Sequence, residues 1–473
     1  MKIASLSNPV TSAWFREQGL RLDASPYVSG ALKVKKLLEG LPETVPLASV
    51  TAGHDGGIFS GPMFRRVYLT DPEHSVPFLG TKDMMAADLT GLPRLRKTDA
   101  HSAALSYLKL KPGMTLISRS GFNAGRRAYA RPDMGGIWAS EDVVKVEPDP
   151  EKIKSGYLYA FLLSQFGETL VRGSVYGSAV KHIEPHHIAG LPVPRFGERV
   201  ESKIHDLVRE SAELRARHQA ELVAATKDFF DSNGLPELNR LRWHQQDRDL
   251  GFEVASISSV SLRASNYGQR ATSIKDAFAS VPSRKLGDIC ASGKLSRGLR
   301  AVRVETGEGN GVRLLGQRQA FWNRPEDRWI KNPGDPGIFA EDETIMVTAQ
   351  GLISENGLFG RSIFVTGNWL KYAYTEHFLR VTTGESDVPG AYLFAFFRSE
   401  AAYRLMRSML AGTGPQSILT SLLKDLSIPL ATQADRDRIA ATVRSAYQCR
   451  DRADVLEDKA LALLTSAVEE ATG

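Results

Sequence analysis

The sequence predicts an α+β fold built twice, as two tandem units of small mixed sheets and helices, each followed by a long helix. Three observations predict it: one set of residues recurs at a constant spacing, glycine-punctuated β-branched runs precede an aromatic helix in each copy, and a long stripe of apolar residues at helical spacing closes each copy.

The recurrence comes first, because a repeat decides the architecture before any element is assigned. Tyr157-Leu158-Tyr159-Ala160-Phe161-Leu162 returns as Tyr392-Leu393-Phe394-Ala395-Phe396-Phe397, 235 positions on. At the same offset Gly177-Ser178-Ala179 matches Gly412-Thr413-Gly414, Ile183 matches Ile418, and Leu191-Pro192-Val193-Pro194 matches Leu426-Ser427-Ile428-Pro429. Upstream, Leu22-Asp23-Ala24-Ser25-Pro26-Tyr27 aligns with Leu262-Arg263-Ala264-Ser265-Asn266-Tyr267, and Val45-Pro46-Leu47-Ala48-Ser49-Val50 with Arg284-Lys285-Leu286-Gly287-Asp288-Ile289. The drifting offset there means that loops changed length. Between these anchors the copies differ almost everywhere, so a shared scaffold carries two different surfaces.

Within each copy, runs such as Thr115-Leu116-Ile117-Ser118 and Thr344-Ile345-Met346-Val347-Thr348 favour strands through their β-branched and apolar content. The Tyr-Leu-x-Ala-Phe motif then has helical spacing, and its aromatics read as core. After Pro194, Val200, Ile204, Leu207, Ser211, Leu214, His218, Leu222, Ala225 and Phe229 recur mostly every three or four residues. After Pro429 the counterpart stripe is Ile439, Val443, Ala446, Arg450, Ala453, Leu456, Ala460, Leu463 and Ala467. Two matched stripes suit a coiled-coil seam in which each helix is the other's partner. Ser232-Asn233-Gly234 before Pro236 supplies the stop for the first. The expected boundaries are 1–196 and 251–431 for the two units, 197–232 and 432–471 for the helices, and 233–250 for a connector.

The 473 residues are too many for one ordinary core, and 42% apolar with 24% charged residues is an ordinary globular composition. A formal charge of +6 favours a polyanionic partner. Cys290 and Cys449 are far apart with no Cys-x-x-Cys spacing, which argues against a disulfide scaffold or zinc knuckle and fits a reducing cytoplasm. The start lacks an apolar signal core and no run is long enough to cross a membrane, so a cytoplasmic protein with no membrane partner is expected.

A Leu-Gly-Asp-Ile-like strand opening, a Tyr-Leu-x-x-Phe-Leu helix, a Gly-Ser or Gly-Thr loop, and Ile-x4-Ile/Leu-x2-Leu-x-Val/Ile-Pro leading into a long helix resemble the target recognition domain and spacer helix of type I restriction-modification specificity subunits. The pattern covers nearly the whole chain, twice, and Leu-x-Ala-Ser-x-Tyr at both unit starts is similar to the Arg-Leu-Asp-Ala-x-Tyr opening of some members. The run Pro192-Val193-Pro194 lacks the glutamine-containing, proline-rich stretch that often precedes the family's helix, and the connection Leu235–Asp249 is longer than expected. The resemblance implies two target recognition domains, each reading one half of a split double-stranded DNA target. It implies an antiparallel pair of helices acting as a ruler, two DNA adenine methyltransferase subunits docked on Ile204, Leu207, Leu214, Leu222, Phe229, Ile439, Val443, Leu456 and Leu463, and restriction-translocase subunits as further partners. A helix of about 34 residues spans ~50 Å at ~1.5 Å per residue, against ~34 Å for one DNA turn. Shortening both helices should therefore change the gap.

Base readout needs bidentate groups, arginine for guanine and asparagine or glutamine for adenine, while phosphates take cations, amides and hydroxyls. In the first copy the candidates are Arg94, Arg96 and Lys97, and the glycine-rich turn holding Arg119, Ser120, Asn123, Arg126 and Arg127. The second copy answers that turn with a longer, less basic stretch holding Gln350, Asn356 and Arg361. Lys82 is matched by Gln317, Arg318 and Gln319, and the loop with Ser178 and Lys181 by Thr413, Gln416 and Ser417.

The chain carries no Asn-Pro-Pro-Tyr-type methyltransferase motif and no Gly-x4-Gly-Lys-Ser/Thr phosphate loop. Gly307-Glu308-Gly309-Asn310-Gly311 reads as a turn, and Pro148-Asp149 with Glu201-Ser202-Lys203 fits a nuclease pattern only by chance. His182, His186 and His187 lack a metal-ligand spacing except for Glu184. Ser120 and Ser178 show no paired base. The expectation is a non-catalytic subunit with no cofactor and no metal. The alternatives are a related defence-system subunit with its own nuclease chemistry and a DNA-independent helical scaffold.

Overall fold

The computed structural model describes residues 10–17, 20–21, 24–177, 180–246, 251–254, 257, 260–354, 357–384, 387–412 and 415–472. The chain divides into two compact units, residues 1–216 with 452–473 and residues 217–451.

In the first unit the strands are β1 (Thr44–Pro46), β2 (Ile58–Phe59), β3 (Ser75–Leu79), β4 (Arg94–Arg96), β5 (Thr115–Ser118), β6 (Arg127–Tyr129), β7 (Trp138–Ala139), β8 (Val143–Val146) and β9 (Pro192–Pro194). They form a four-stranded sheet in the order β2-β8-β5-β6, a three-stranded sheet β4-β3-β7 and the pair β1-β9. In the second unit they are β10 (Ser283–Lys285), β11 (Cys290–Arg297), β12 (Val312–Leu315), β13 (Trp329–Ile330), β14 (Thr344–Thr348), β15 (Gln350–Gly351), β16 (Ser362–Val365), β17 (Ala373–Tyr374), β18 (Phe378–Thr383), β19 (Leu410–Ala411), β20 (Gln416–Ile418) and β21 (Ser427–Pro429). The orders repeat as β11-β18-β14-β16, β13-β12-β17 and β10-β21, with a further small sheet β15-β20-β19.

The repeat extends to single hydrogen bonds. Leu47 N donates to Leu191 O and Leu286 N to Leu426 O, both at 2.9 Å, which supports the upstream alignment of the copies. Tyr157 Oη donates to Pro194 O at 2.5 Å and Tyr392 Oη to Pro429 O at 2.8 Å. At the unit starts Tyr27 Oη reaches Arg21 O at 2.6 Å and Tyr267 Oη reaches Ser261 O at 2.5 Å, which gives the Leu-x-Ala-Ser-x-Tyr motif a structural use. One local reading changes. The Leu-Gly-Asp-Ile segment is a helical turn, Leu286–Ile289, and the strand is the preceding Ser283–Lys285.

The helix Ser155–Leu163 and its counterpart Gly390–Phe397 are buried along almost their whole length, so their aromatics form core. Each fully buried Leu or Phe side chain there contributes roughly 1.5–3 kcal/mol of transfer free energy. These helices pack on the four-stranded sheets together with Ile204 and Val208 in the first unit, and with Leu222, Ala225 and Phe229 in the second.

The first long helix runs Glu198–Ser232 and the second Gln433–Thr472. Gly234, at φ +70°, follows the first, where Leu235 N closes back onto Phe230 O. Inside the first unit the two helices run antiparallel: Ser211 Oγ donates to Ala453 O at 2.9 Å, and Ile204 and Val208 share a cluster with Ala460, Leu464 and Val468. Inside the second unit they do so again, with His218 Nδ1 2.8 Å from Ala446 O and Arg438 paired to Asp228 at 2.8 Å.

Candidate nucleic-acid interface

The turn after the third strand of each four-stranded sheet is built on one frame. In the first unit Gly125 N donates to Ser118 O and Ser118 N to Arg126 O, both at 2.8 Å. In the second, Gly360 N donates to Thr348 O and Thr348 N to Arg361 O, both again at 2.8 Å. Gly125 (φ +84°) and Gly360 (φ +85°) share a left-handed conformation that a side chain would strain. Residues 119–124 fill the frame in one copy and the longer 349–359 in the other. Arg126 and Arg361 are therefore true equivalents. Arg126 lies over the Phe122 ring at 5.8 Å and Arg361 over Tyr403 at 3.7 Å.

In the first unit this turn sits against the 177–182 loop. Gly121 N donates to Lys181 O at 2.9 Å, Ser120 bridges His182, and Ser120 Oγ donates to Asp142 Oδ1 at 2.8 Å. Arg119 forms a fork with Glu184, Nη2 to Oε1 at 2.8 Å and Nε to Oε1 and Oε2 at 3.2 Å. That pairing, working against the desolvation of burial, raises its pKa. Arg119 thus braces the turn. Arg127 is buried against Gly125 O (2.6 Å) and Glu168 (3.5 Å) and belongs to the interior. Asn123 is half-buried and Lys181 exposed.

In the second unit the equivalent place is a small sheet in which Gln350 pairs with Ser417 and Gly351 with Gln416. Arg297 reaches across it, from Nη2 to Ser417 Oγ at 2.6 Å and Ala349 O at 2.9 Å and from Nη1 to Gln350 Oε1 at 3.4 Å. His377 Nδ1 lies 2.5 Å from Gln350 Oε1, Gln317 Nε2 donates to His377 O at 2.6 Å, and Arg263 Nη1 donates to Gln416 Oε1 at 3.5 Å. Three glutamines, a serine, two arginines and a histidine from six separate stretches of sequence thus form one network.

The remaining candidates lie apart from that turn. Gly80 and Gly316 both follow the central strand of a three-stranded sheet, as the registers Leu79 with Ala139 and Leu315 with Tyr374 require. Beyond them Lys82 and Arg318 are exposed, and Gln319 Nε2 lies 3.5 Å from Glu326. Arg94 is held by Ser75 (Nε to Oγ, 2.9 Å) and Arg96 forks onto Asp99 (2.7 and 3.0 Å), next to exposed Lys97. Ser178, Asn356 and Thr413 lie outside the described residues.

Sequence reasoning missed Arg263, Arg297 and His377, and also the exposed apolar tips. Phe122 is 83% exposed and Leu352 78% exposed, each one residue after the matched glycines Gly121 and Gly351. An apolar residue at a polar loop tip, found twice, was the available signal.

On the long helices Ile204, Leu222, Phe229, Ile439, Val443 and Leu456 are buried inside the units, and Leu207, Leu214 and Leu463 are half-buried. The faces of these helices turned away from the core expose Val223 and Val455. Glu201, half of the nuclease-like pattern, is buried and forked onto Arg195 at 2.8 and 2.9 Å. His187 takes the Glu184 N–H in a helix cap.

Comparison of the sequence with family models and with curated proteins gives no match. Two solved structures it resembles are S subunits. One is the type-I restriction-modification system S subunit from M. genitalium, at 11% identity over 91% of this chain and 96% of that one, TM-score 0.37. Another is the HsdS subunit from Thermoanaerobacter tengcongensis, at 12% identity over 91% and 97%, TM-score 0.27. A third, from work on complex assembly and conformational transition of the type I R-M system, has 13% identity over 90% and 98%, TM-score 0.28. At such identities and TM-scores the function of this chain has to be argued from its own residues. No described helix is long and apolar enough to cross a membrane.

Proposed function

We propose that the chain is the non-catalytic DNA sequence-specificity subunit of a type I-like restriction-modification complex in the cytoplasm. Each unit reads one half of a bipartite duplex target, and the long helices set the gap and dock methyltransferase subunits, with restriction-translocase subunits as further partners. The observation that carries the reading is the turn with a constant frame and a variable filling: the Gly125 and Gly360 hydrogen bonds are the same, whereas the residues they enclose differ in length, charge and chemistry. A shared catalytic role would keep the filling and vary the frame. Half-buried Arg126 with exposed Lys181 and Phe122 in one unit, and the Gln350, Gln416 and Ser417 network in the other, offer two different sets of base-edge and apolar contacts.

The test is to map modified adenines across a genome with and without this chain. A two-part motif with a fixed gap that disappears with the chain is expected. A continuous motif, or an unchanged pattern, would reject the reading.

A further inference from the structure

Beside β11 of the second unit lies a groove of about 910 Å³, lined among others by Lys294, Arg297, Arg300, Phe339, Glu341 and Arg380. Lys294 and Glu341 pair with each other. The three arginines are held by neutral acceptors or by none among the described residues. Arg297 has the Ala349 carbonyl, Gln350 and Ser417. Arg380 has the carbonyls of Phe339 (2.7 Å) and Ile338 (3.3 Å), while its Nε is buried with no hydrogen-bond partner. Arg300 is exposed at the rim. Gly298 lets the Arg380 guanidinium come this close, since a Cβ there would stand 2.9 Å from Nη2.

The first unit shows that the scaffold does not require this groove. Strand registers make Phe59 the counterpart of Ser296 and Lys145 the counterpart of Arg380. Phe59 is buried, with Tyr107 against it at 5.8 Å and His54 stacked on Tyr107 at 3.7 Å. Lys145 is wholly buried against the Ser140 and Ala139 carbonyls. One copy is plugged with rings, and the other is open and lined with guanidinium groups.

Arg380 is partly withdrawn from water with only neutral acceptors, which is costly for a cation, and exposed Arg297 and Arg300 add positive charge at the same mouth; a bound anion offsets both. The planar fork of arginine matches a multi-oxygen anion, and the volume is larger than a single halide needs. We infer that this groove binds phosphate oxyanions, either a backbone phosphodiester of duplex DNA or the phosphates of a free nucleotide. The duplex source rests on the function proposed above; the nucleotide source does not.

The test uses the full chain with Arg300→Ala, which removes an exposed cation, and Ser296→Phe, which plugs the groove as Phe59 does while keeping every charge. Lys371→Ala is the surface control. Binding to duplex is titrated from low to high salt, and thermal unfolding is followed with inorganic phosphate and with ATP. A roughly tenfold loss of duplex affinity at physiological salt in both groove variants, with the salt slope shallower by about one in Arg300→Ala, assigns the phosphodiester. Unchanged duplex affinity, together with a Tm rise of about 2 °C or more on adding phosphate or ATP that both variants lose, assigns the free phosphate. Neither effect overturns the inference. A parent chain that binds no duplex rejects the DNA reading, and the phosphate and ATP arm then decides the groove by itself.

Discussion

Arg215 and Glu457, distant in sequence, meet through two parallel hydrogen bonds of 3.0 and 2.9 Å in the interior of the first unit. Asp454 accepts a third from Arg215 at 3.0 Å, and Tyr159 Oη donates to Glu457 at 3.1 Å. Burial works against the Arg215 charge, but Glu457 and Asp454 outweigh it and hold its pKa well above the usual value. A buried fork between the two helices penalises any slip of one along the other, because a slipped helix buries both charges unpaired.

Arg215→Ala therefore destabilises by about 3–5 kcal/mol, the cost of stranding a buried carboxylate, whereas Arg215→Met with Glu457→Leu recovers most of it. Urea unfolding of the single and double variants checks this. Equal losses in both would mean that the pair acts through volume alone.

The two tyrosine tethers differ in load. Among the described residues Tyr157 Oη donates to Pro194 O alone, whereas Tyr392 Oη donates to Pro429 O and also accepts from Asn233 Nδ2 (3.0 Å) and Ala431 N (3.2 Å). Tyr157→Phe should cost about 1–2 kcal/mol and Tyr392→Phe about 2–3 kcal/mol, since the latter strands more buried groups. Thermal unfolding of the two variants ranks them, and the reverse order would contradict the bond count.

Burial lowers the pKa of Lys145 to about 7, with Glu141 opposing the shift. Between pH 7 and the ordinary lysine value the unfolded chain carries a proton that the folded chain lacks, so stability rises with pH across that window and is flat, for this group, below it. Lys145→Met removes this contribution. Tm measured from pH 7 to 10 should climb less in the variant than in the parent chain; parallel curves would show that Lys145 stays charged in the fold.

Arg126→Ala should weaken occupancy of one half-site, and Arg361→Ala the other, each by roughly 1–3 kcal/mol. Arg119→Ala falls on the same half as Arg126→Ala, because the Glu184 fork it breaks braces that turn. Footprinting on a duplex bearing both halves reads the outcome, and equal loss at both would end the assignment of one reader to each unit.

The duplication, the aromatic helices and the two long helices were legible in the sequence because each rests on local spacing: a constant offset of 235, or apolar residues every three or four positions. The polar network around Gln350 was only half legible. Gln317, Gln350, Gln416 and Ser417 are residue types that read bases, and they stand out by chemistry. Arg297 and His377 do not, because strand pairing of β11 with β18 and of β15 with β20 brings them there, and two- and three-residue strands leave almost no periodicity. Most of the expected seam positions are buried, with a local difference in the first helix. Val208, Ala212 and Arg215 face inward where Leu207 and Leu214 were expected, since a buried arginine with two acids takes a place that an apolar pattern would assign to leucine.

The collar of Gly125 and Gly360 has a thermodynamic consequence. With both ends of the turn clamped by the same two backbone hydrogen bonds, only closure entropy grows with the number of residues enclosed, and doubling that number costs only ~0.6 kcal/mol. Insertions can accumulate inside the collar almost for free, while a change to either glycine strains the backbone itself. Sequence drift is thereby channelled into the one part of each unit where novelty leaves the rest of the fold intact.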